Sequence, residues 1–370
     1  MNETQMLLDA VAAIPDLHRA ALATIVKVTG SAYRGPGSRL LILPDGRTVG
    51  AVSAGCLERD LVERAQRAIA VRAPAIATYD TSDLGDNVWG LGIGCGGSID
   101  VLIEPLLPES NAARLFPYLR ERLAQKDTGV VALVFRVSGL AVTVGARLML
   151  APGKPAETEI ANAALAAWLR SEAEQAQAVG RPAVRAYETP GGSAEALLEV
   201  IAPPLPLVIF GAGDDAIPLA QFAETLGWDV TVVDSRPALA QSSRFPGARL
   251  IVGQPDQVWD RVSLTERTAA VVMTHNYSHD LAIVRTLLAA PVRYLGILGT
   301  RKRTAAMLRA VNAGASRVQT PVGLDIGGET PAEIALSIAA EIQAVCAGRR
   351  AGFLKERQGP IHDRGQSTTS

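Results

Sequence analysis

The second half of the chain alternates short, mostly apolar runs with longer amphipathic stretches. The apolar runs lie at 207–210, 229–233, 249–252, 268–273 and 293–298. The amphipathic stretches lie at 216–226, 280–288, 303–311 and 331–345. Strands that are apolar throughout and separated by helices are typical of a parallel sheet covered on both sides. This half therefore predicts an α/β fold, with a parallel sheet and helices on both of its faces.

The first half of the chain shows no such alternation. Its strand-like segments are 23–28, 40–43, 48–52, 99–104, 129–137 and 141–150, and its helix-like segments are 57–71 and 161–178. This mixture predicts an α+β domain whose topology the pattern leaves open. The proline-rich seam at 203–206 denies both helix and central strand, and separates a domain 1–202 from a domain 203–350. The polar segment 351–370 has no period and is predicted to be a loose tail.

Composition narrows the classes of protein without naming one. The 370 residues carry 36 Lys and Arg against 37 Asp and Glu, a net charge of −1 that argues against a nucleic-acid binder. No apolar run reaches the roughly 18–20 residues of a membrane span. The amino-terminal residues also lack the basic start of a signal peptide. We therefore expect a cytoplasmic protein whose three cysteines are reduced thiols.

A glycine turn follows the first apolar run of the second half. Gly211 and Gly213 stand between a predicted strand and helix, and Asp234 closes the next strand. This is the spacing of a dinucleotide-binding Rossmann fold, in which the acid reaches a ribose. Asp214 and Asp215 stand where a pyrophosphate needs positive potential, so they oppose that interpretation. The alternative is that the glycines serve only the turn and helix packing.

Two polar loops follow later strands, at the edge where parallel strands end. His275 follows one strand, and the run Thr300, Arg301, Lys302 and Arg303 follows the next. A basic cluster at a helix N-terminus favours a phosphate, and the alternative is a solvated helix start. His275 and His279 have metal-ligand spacing, but no third ligand is near in the sequence.

Two cysteines lie in glycine-rich turns. Cys56 stands where a strand passes into a helix, and Cys95 is flanked by four glycines. Thiols are ligands for soft metals and carriers of sulfur, so both are candidate sites for such chemistry, including metal binding; the alternative is an inert, buried cysteine. Arg34 and Arg39, in the loop after the first strand, are candidate anion ligands or solvated arginines.

In their order along the chain, these motifs resemble the XdhC/CoxI family. The amino-terminal signature, within about 20–107, consists of Gly30-Ser31-Ala32-Tyr33-Arg34, Ser53-Ala54-Gly55-Cys56-Leu57-Glu58 and Gly94-Cys95-Gly96-Gly97. The Rossmann-like part, within 205–346, is similar at Phe210-Gly211-Ala212-Gly213, Met273-Thr274-His275, Gly299-Thr300-Arg301-Lys302-Arg303 and Pro321-Val322-Gly323. The chain departs from the pattern at Asp214, where many members have histidine, and at Ala54, where many have glycine.

The resemblance implies a maturation factor for molybdenum hydroxylases such as xanthine dehydrogenase, aldehyde oxidoreductase or carbon monoxide dehydrogenase. Such a protein binds molybdenum cofactor, as molybdopterin or its cytosine dinucleotide form. It supports sulfuration of the cofactor together with a cysteine desulfurase, and inserts the cofactor into the apo-enzyme. It is more a chaperone than a turnover enzyme. We expect the phosphate toward the basic cluster and the molybdenum toward the two thiols, between the domains, in a protein whose default oligomer is a homodimer.

Two other classes of function remain open from the sequence. An NAD(P)-dependent oxidoreductase is supported by Gly211, Gly213 and Asp234. A scaffold that docks partner enzymes and binds no small molecule is the other. Binding of nicotinamide nucleotides, or molybdenum and pterin bound to the purified protein, would distinguish these classes.

Overall fold

The chain divides into two compact units, Glu3–Pro203 and Pro204–Arg357. The structure is a computed structural model that describes residues 3–14, 16–80, 97–108, 110–311 and 317–358. Cys95 and the last part of the tail lie outside the described residues. No helix in the described ranges is long and apolar enough to cross a membrane.

The first sheet of the amino-terminal unit is antiparallel. Its elements, in chain order, are α1 (Glu3–Ala12), β1 (Ala21–Gly30), β2 (Arg39–Ile42), β3 (Thr48–Gly50), α2 (Glu58–Val71), β4 (Ala75–Asp80) and β5 (Gly97–Pro105). The strand order is β3-β2-β1-β5-β4. Leu61, Ala65 and Ala68 of α2 pack on the face of the sheet that carries Ile25 and Leu40. This apolar stripe recurs every three to four residues, so it covers one face of the sheet.

The second sheet repeats the first. Its elements are α3 (Asn111–Gln125), β6 (Gly129–Ser138), β7 (Arg147–Leu150), β8 (Glu157–Thr158), α4 (Ala163–Val179), β9 (Ala183–Thr189) and β10 (Gly192–Ile201). The order β8-β7-β6-β10-β9 is that of the first sheet with each strand advanced by five. In both halves one helix precedes three strands, and a second helix connects these to the last two. The unit is therefore an internal duplication.

The two sheets bury a common apolar cluster. Val26 and Leu102 of the first sheet pack with Leu133, Phe135 and Leu197 of the second. The helices α2 and α4 belong to separate clusters on the other faces of their sheets. The unit is thus layered helix, sheet, sheet, helix, and each sheet buries both of its faces.

Two buried ion pairs join the sheets reciprocally. Arg39 of β2 pairs with Glu199 of β10, and Arg147 of β7 pairs with Glu104 of β5. Each arginine begins the second strand of its own half, and each glutamate lies near the end of the last strand of the other half. The duplication therefore extends from strand order to individual side chains.

A glycine precedes each of these arginines by two residues. Gly37 and Gly145 both have φ +92°. A Cβ atom at Gly37 would lie 3.1 Å from the carboxyl of Glu199, and one at Gly145 would lie 2.8 Å from Glu104 Oε1. Each glycine thus leaves room for the glutamate of the opposite half.

The carboxy-terminal unit is built on a parallel sheet. Its elements are β11 (Pro206–Phe210), α5 (Ala216–Thr225), β12 (Asp229–Asp234), β13 (Arg249–Val252), β14 (Ala269–Val272), α6 (Tyr277–Ala289), β15 (Tyr294–Ile297), α7 (Arg301–Ala310) and α8 (Pro331–Cys346). The order is β13-β12-β11-β14-β15, and every pairing is parallel. Helices α5 and α8 cover one face, and α6 and α7 the other. The predicted fold class is confirmed.

Several predicted boundaries were wrong for identifiable reasons. Pro206 begins the central strand β11, although the proline-rich seam was expected to exclude a central strand; a proline is tolerated at the first residue. The predicted strand at 141–150 begins only at Arg147, because the preceding residues form the turn that leads to Gly145. Helix α3 was missed because Pro117 lies inside it. The start of α8 is as predicted, with Thr330 and Glu333 forming a capping box.

Candidate functional site

The loop that carries Cys56 is closed by a network between Ser53 and Glu58. The Ser53 hydroxyl donates to Glu58 Oε2 at 2.5 Å and accepts from the amides of Gly55 and Leu57 at 3.1 and 3.2 Å. The Glu58 carboxylate also accepts from the amides of Ser53 and Leu57, each at 3.1 Å. Gly55 has φ +107°, which favours glycine at this point of the turn. The six-residue motif is therefore a rigid loop rather than a flexible linker.

Cys56 is held by this loop directly before α2. The residue is partly exposed, and it packs against the core cluster beneath α2. Cys56 lies two residues before Glu58, the first residue of the 14-residue helix α2. The arrangement presents one sulfur atom at a defined place, as a soft ligand or sulfur carrier requires. Cys346, the other described free thiol, lies at the end of α8, where burial raises its pKa.

The two arginines predicted to hold an anion are both engaged by carboxylates. Arg39 is 8% exposed, and both of its terminal nitrogens bond to Glu199. Its guanidinium is thus paired inside the unit, so an external anion at this position would have to displace Glu199. Arg34 pairs with Glu3 of α1. Its side chain is about one-quarter exposed, so it retains an accessible part.

In the carboxy-terminal unit, the space beside Gly211 and Gly213 is occupied by other atoms of the protein. A Cβ at Gly211 would lie 2.4 Å from the carbonyl oxygen of Met273 on the adjacent strand end. A Cβ at Gly213 would lie 2.5 Å from Asp215 Oδ1. Both glycines are therefore required for close packing within the protein. The space beside Gly213, where a Rossmann fold receives a pyrophosphate, holds the Asp215 carboxylate.

His275 secures this carboxylate. Its Nε2 lies 2.7 Å from Asp215 Oδ2. His275 has φ +61°, an uncommon conformation for a residue other than glycine, and it follows β14 directly after Thr274. Asp214, the neighbouring acid, instead points to Arg244 and has a side chain that is 95% exposed. The two consecutive acids at the start of α5 thus have different surroundings.

Asp234 is surrounded by donors. Its Oδ1 accepts from the Arg236 amide at 2.8 Å and from Arg236 Nε at 2.9 Å. Its Oδ2 accepts from the Ala212 amide at 2.7 Å and from Arg236 Nη2 at 2.8 Å. Burial raises the pKa of Asp234, but these hydrogen bonds outweigh burial, so the pKa lies below its usual range. The carboxylate that the sequence assigns to a ribose is already fully bonded.

The three cations of the predicted basic cluster have different surroundings: Arg303 is paired with a buried acid, whereas Arg301 and Lys302 are exposed. Arg303 donates to Asp280 Oδ2 at 2.6 Å, and Asp280 is fully buried and also bonded by the Thr274 hydroxyl at 2.6 Å. The Thr300 hydroxyl caps α7 by accepting from the Arg303 amide at 3.3 Å. Arg301 and Lys302 are exposed in the first turn of α7. Their charges are the ones in this cluster that face solvent.

Sequence reasoning missed Asp280 and the cavity nearby. In the sequence, Asp280 is visible only as an acid within the apolar pattern of α6. In the structure its charge balances that of Arg303. A cavity of about 90 Å³ opens at the ends of β12 and β14. Its lining includes Phe210, Val258 and Arg236. No group of three His, Cys, Asp or Glu side chains in the described part of the chain is arranged to hold a metal ion.

These features define a class of protein: a duplicated antiparallel unit joined to a Rossmann-like unit whose glycine turn holds its own carboxylate. Comparison with known families gives two matches. The XdhC Rossmann domain matches residues 207–342, and the XdhC and CoxI family matches residues 16–80. The chain belongs to the XdhC and CoxI family, as the motifs predicted.

Three relatives span nearly the whole chain. A protein of Bacillus subtilis named as a probable xanthine dehydrogenase subunit is 34% identical over 92% of this chain and 97% of its own. The molybdenum cofactor insertion chaperone PaoD of Escherichia coli is 24% identical over 91% of this chain and 86% of its own. A crystal structure described as a xanthine dehydrogenase from Bacillus halodurans is 29% identical, with a TM-score of 0.78. That similarity covers 95% of this chain and 97% of the crystallised one.

Proposed function

We propose that this protein is a maturation factor that binds molybdenum cofactor and inserts it into an apo molybdenum hydroxylase. The observation that carries the proposal is the end-to-end relationship to a molybdenum cofactor insertion chaperone and to a probable xanthine dehydrogenase subunit. Both relatives extend over at least 91% of the chain, so both units take part in the relationship. The cofactor is cargo, and the apo-hydroxylase is the partner that receives it.

The Cys56 loop supplies the chemistry that this cargo requires. Molybdenum and the sulfur atoms around it are soft, and a partly exposed thiol on a rigid loop is a suitable ligand or sulfur carrier. Sulfuration of the cofactor, with sulfur from a cysteine desulfurase, is the finer part of the proposal. Cys95 is the second thiol that we propose for this role, on its sequence motif alone.

The exposed cations at the start of α7 suit the anionic end of the cargo. Molybdopterin carries a phosphate, and Arg301 and Lys302 stand exposed beside the amides of a helix N-terminus. Arg303 lies in the same helical turn as these two cations, and its own charge is balanced by the ion pair with Asp280. Arg34 remains a second candidate for an anion contact on the amino-terminal unit.

The test compares cysteine variants of the full chain purified from a molybdenum-replete host. Molybdenum and pterin content, and activation of an apo-hydroxylase, are measured for Cys56→Ala and Cys95→Ala. Cys346→Ala is the matched control, because this thiol lies on α8 and outside the motif. We expect losses in the first two variants only. Full cofactor content and full activation in both would refute the role of the thiols, and absence of cofactor from the wild type would refute the function.

The oxidoreductase alternative is the less favoured one. Nicotinamide dinucleotides place their pyrophosphate at the glycine turn of a Rossmann fold. Here Asp215 fills that position, and Asp234 has both oxygens bonded. An ordinary dinucleotide would have to displace one carboxylate and reorient another.

A further inference from the structure

We propose that the cavity at the ends of β12 and β14 binds the base of a nucleoside monophosphate, and that Asp215 excludes a diphosphate from the adjacent glycine turn. The ligand class is a nucleoside 5′-phosphate, either free or as one end of a larger molecule whose diphosphate lies away from Gly213. This inference concerns the carboxy-terminal unit alone. It stands apart from the proposed role of the thiols.

The lining of the cavity suits a nucleotide base. Its inner wall is apolar and buried, with Phe210, Val233, Val258 and Ile283 all 4% exposed or less. Its rim is polar and includes Thr274 and the side chain of Arg236. The volume of about 90 Å³ is several times the roughly 10–15 Å³ that one water needs by the same measure. An apolar wall with a polar rim suits a planar ring whose edge forms hydrogen bonds.

The position of the cavity is the one where open α/β sheets bind ligands. The chain leaves the central strand β11 in one direction to β12 and β13, and reaches β14 and β15 on the other side. Ligands of such folds bind outside the carboxyl ends of the strands where this reversal occurs. Asp234 ends β12, and Thr274 follows β14 by two residues, so the cavity lies at the reversal.

Arg236 is fixed in a pose that suits a nucleotide. Its Nε and Nη2 are held by Asp234, so one edge of the guanidinium is fixed while half of the side chain remains exposed. A guanidinium held in this way offers its flat face for stacking on a base and its remaining nitrogen, Nη1, for a phosphate. The Asp234 carboxylate acts through Arg236 and is therefore a positioning residue.

Asp215 closes the neighbouring diphosphate position. Its carboxylate lies over Gly213 at the start of α5, where the helix dipole attracts an anion. The contact with His275 holds it there, and its side chain is only 18% exposed. A second anion at this place would meet both steric overlap and charge repulsion, whereas the base pocket remains open.

The experiment measures nucleotide affinity of the full chain by titration calorimetry. AMP and CMP are the monophosphate probes, and NAD⁺ is the diphosphate probe. We expect AMP or CMP to bind, and NAD⁺ to bind at least about tenfold more weakly. Asp215→Ala should strengthen NAD⁺ binding by about tenfold and leave monophosphate binding within about twofold. Asp214→Ala is the matched control, one residue away and exposed, and should leave the ratio of the two affinities unchanged.

Further variants test the pocket itself. Arg236→Ala should lower the affinity for the monophosphate by about fivefold or more. Val258→Trp, which fills the cavity, should abolish monophosphate binding. Ile283→Phe replaces Val258→Trp if circular dichroism shows that the latter is unfolded. No binding of either monophosphate at about 10 mM overturns the pocket. If Asp215→Ala and Asp214→Ala change NAD⁺ affinity equally, the claim that Asp215 excludes a diphosphate through its position is overturned. Neither result bears on molybdenum content, so failure here is distinguishable from failure of the proposed function.

Discussion

At the scale of single residues, the glycine turn shows how one motif fits two structures. Gly211 and Gly213 have the spacing of a dinucleotide site, and Asp234 stands at the end of the next strand. The structure instead fills the space beside Gly211 with Met273 and that beside Gly213 with Asp215. The residue that decides between the two structures is Asp215, because its carboxylate lies at the start of a helix, where an external anion would otherwise be favoured.

The Asp234 carboxylate makes stability depend on pH. Its pKa lies below the usual range in the folded protein, so ionised Asp234 stabilises the fold above pH about 4. That stabilisation is lost as the pH falls through the lowered native pKa. We expect the difference in unfolding free energy between the wild type and Asp234→Asn to shrink from pH about 6 to pH about 3, measured by urea unfolding. Asp325→Asn, at an exposed position, corrects for charge alone. A difference that is constant with pH contradicts this prediction.

Ser53 is the second residue whose removal has a defined consequence. Its hydroxyl is buried and forms three hydrogen bonds within the Cys56 loop. Ser53→Ala leaves two amides with fewer acceptors and should lower the unfolding free energy by about 1–3 kcal/mol. The looser loop should also change the alkylation rate of Cys56, followed by mass spectrometry of its peptide. Ser278→Ala, at an exposed position on α6, serves as the control, and equal behaviour of the two variants would show that the network is unimportant.

At the scale of secondary-structure elements, the reciprocal ion pairs connect strands that no local pattern links. Arg39 and Glu199 are 160 residues apart, and Arg147 and Glu104 are 43 apart. Each pair is buried between sheets that also share an apolar cluster. In such a place the geometry of both partners must match, because a lone buried charge is strongly unfavourable.

This geometry predicts an asymmetry between single and double variants. Arg147→Met leaves Glu104 buried without its partner and should cost about 3–5 kcal/mol in urea unfolding. Arg147→Met combined with Glu104→Leu should recover most of that loss, since two apolar side chains then fill the space. Arg47→Met, which breaks an exposed pair with Asp45, should leave stability unchanged. Additive losses in the double variant would mean that the two side chains act independently.

At the scale of the whole molecule, the duplication of the amino-terminal unit leaves a weak signal in the sequence. Gly37-Ser38-Arg39-Leu40-Leu41-Ile42 and Gly145-Ala146-Arg147-Leu148-Met149-Leu150 are 108 positions apart and share glycine, arginine and an apolar run. A repeat at a fixed spacing is the sequence signature of such a duplication. Six positions in a hundred carry little signal, and the motifs around Cys56 have no counterpart in the second copy.

The two units should fold independently. Each has its own sheets and its own apolar clusters, with the division between Pro203 and Pro204. We expect fragments 1–203 and 204–358 to be soluble and each to unfold in one cooperative transition, because each contains complete cores. Urea unfolding followed by circular dichroism measures this, with the intact chain as reference. A fragment that lacks a cooperative transition would show that its core requires the other unit.

The sequence alone determined the features that depend on near neighbours. The strand and helix alternation after residue 206, the capped start of α8 and the family motifs are all readable within short windows, because periodicity and capping are local. Tertiary structure decided the rest. Asp215 meets a histidine 60 residues away, and Arg39 meets a glutamate 160 residues away. Such contacts determine which charges remain available to a ligand, and they arise only when the sheets have assembled.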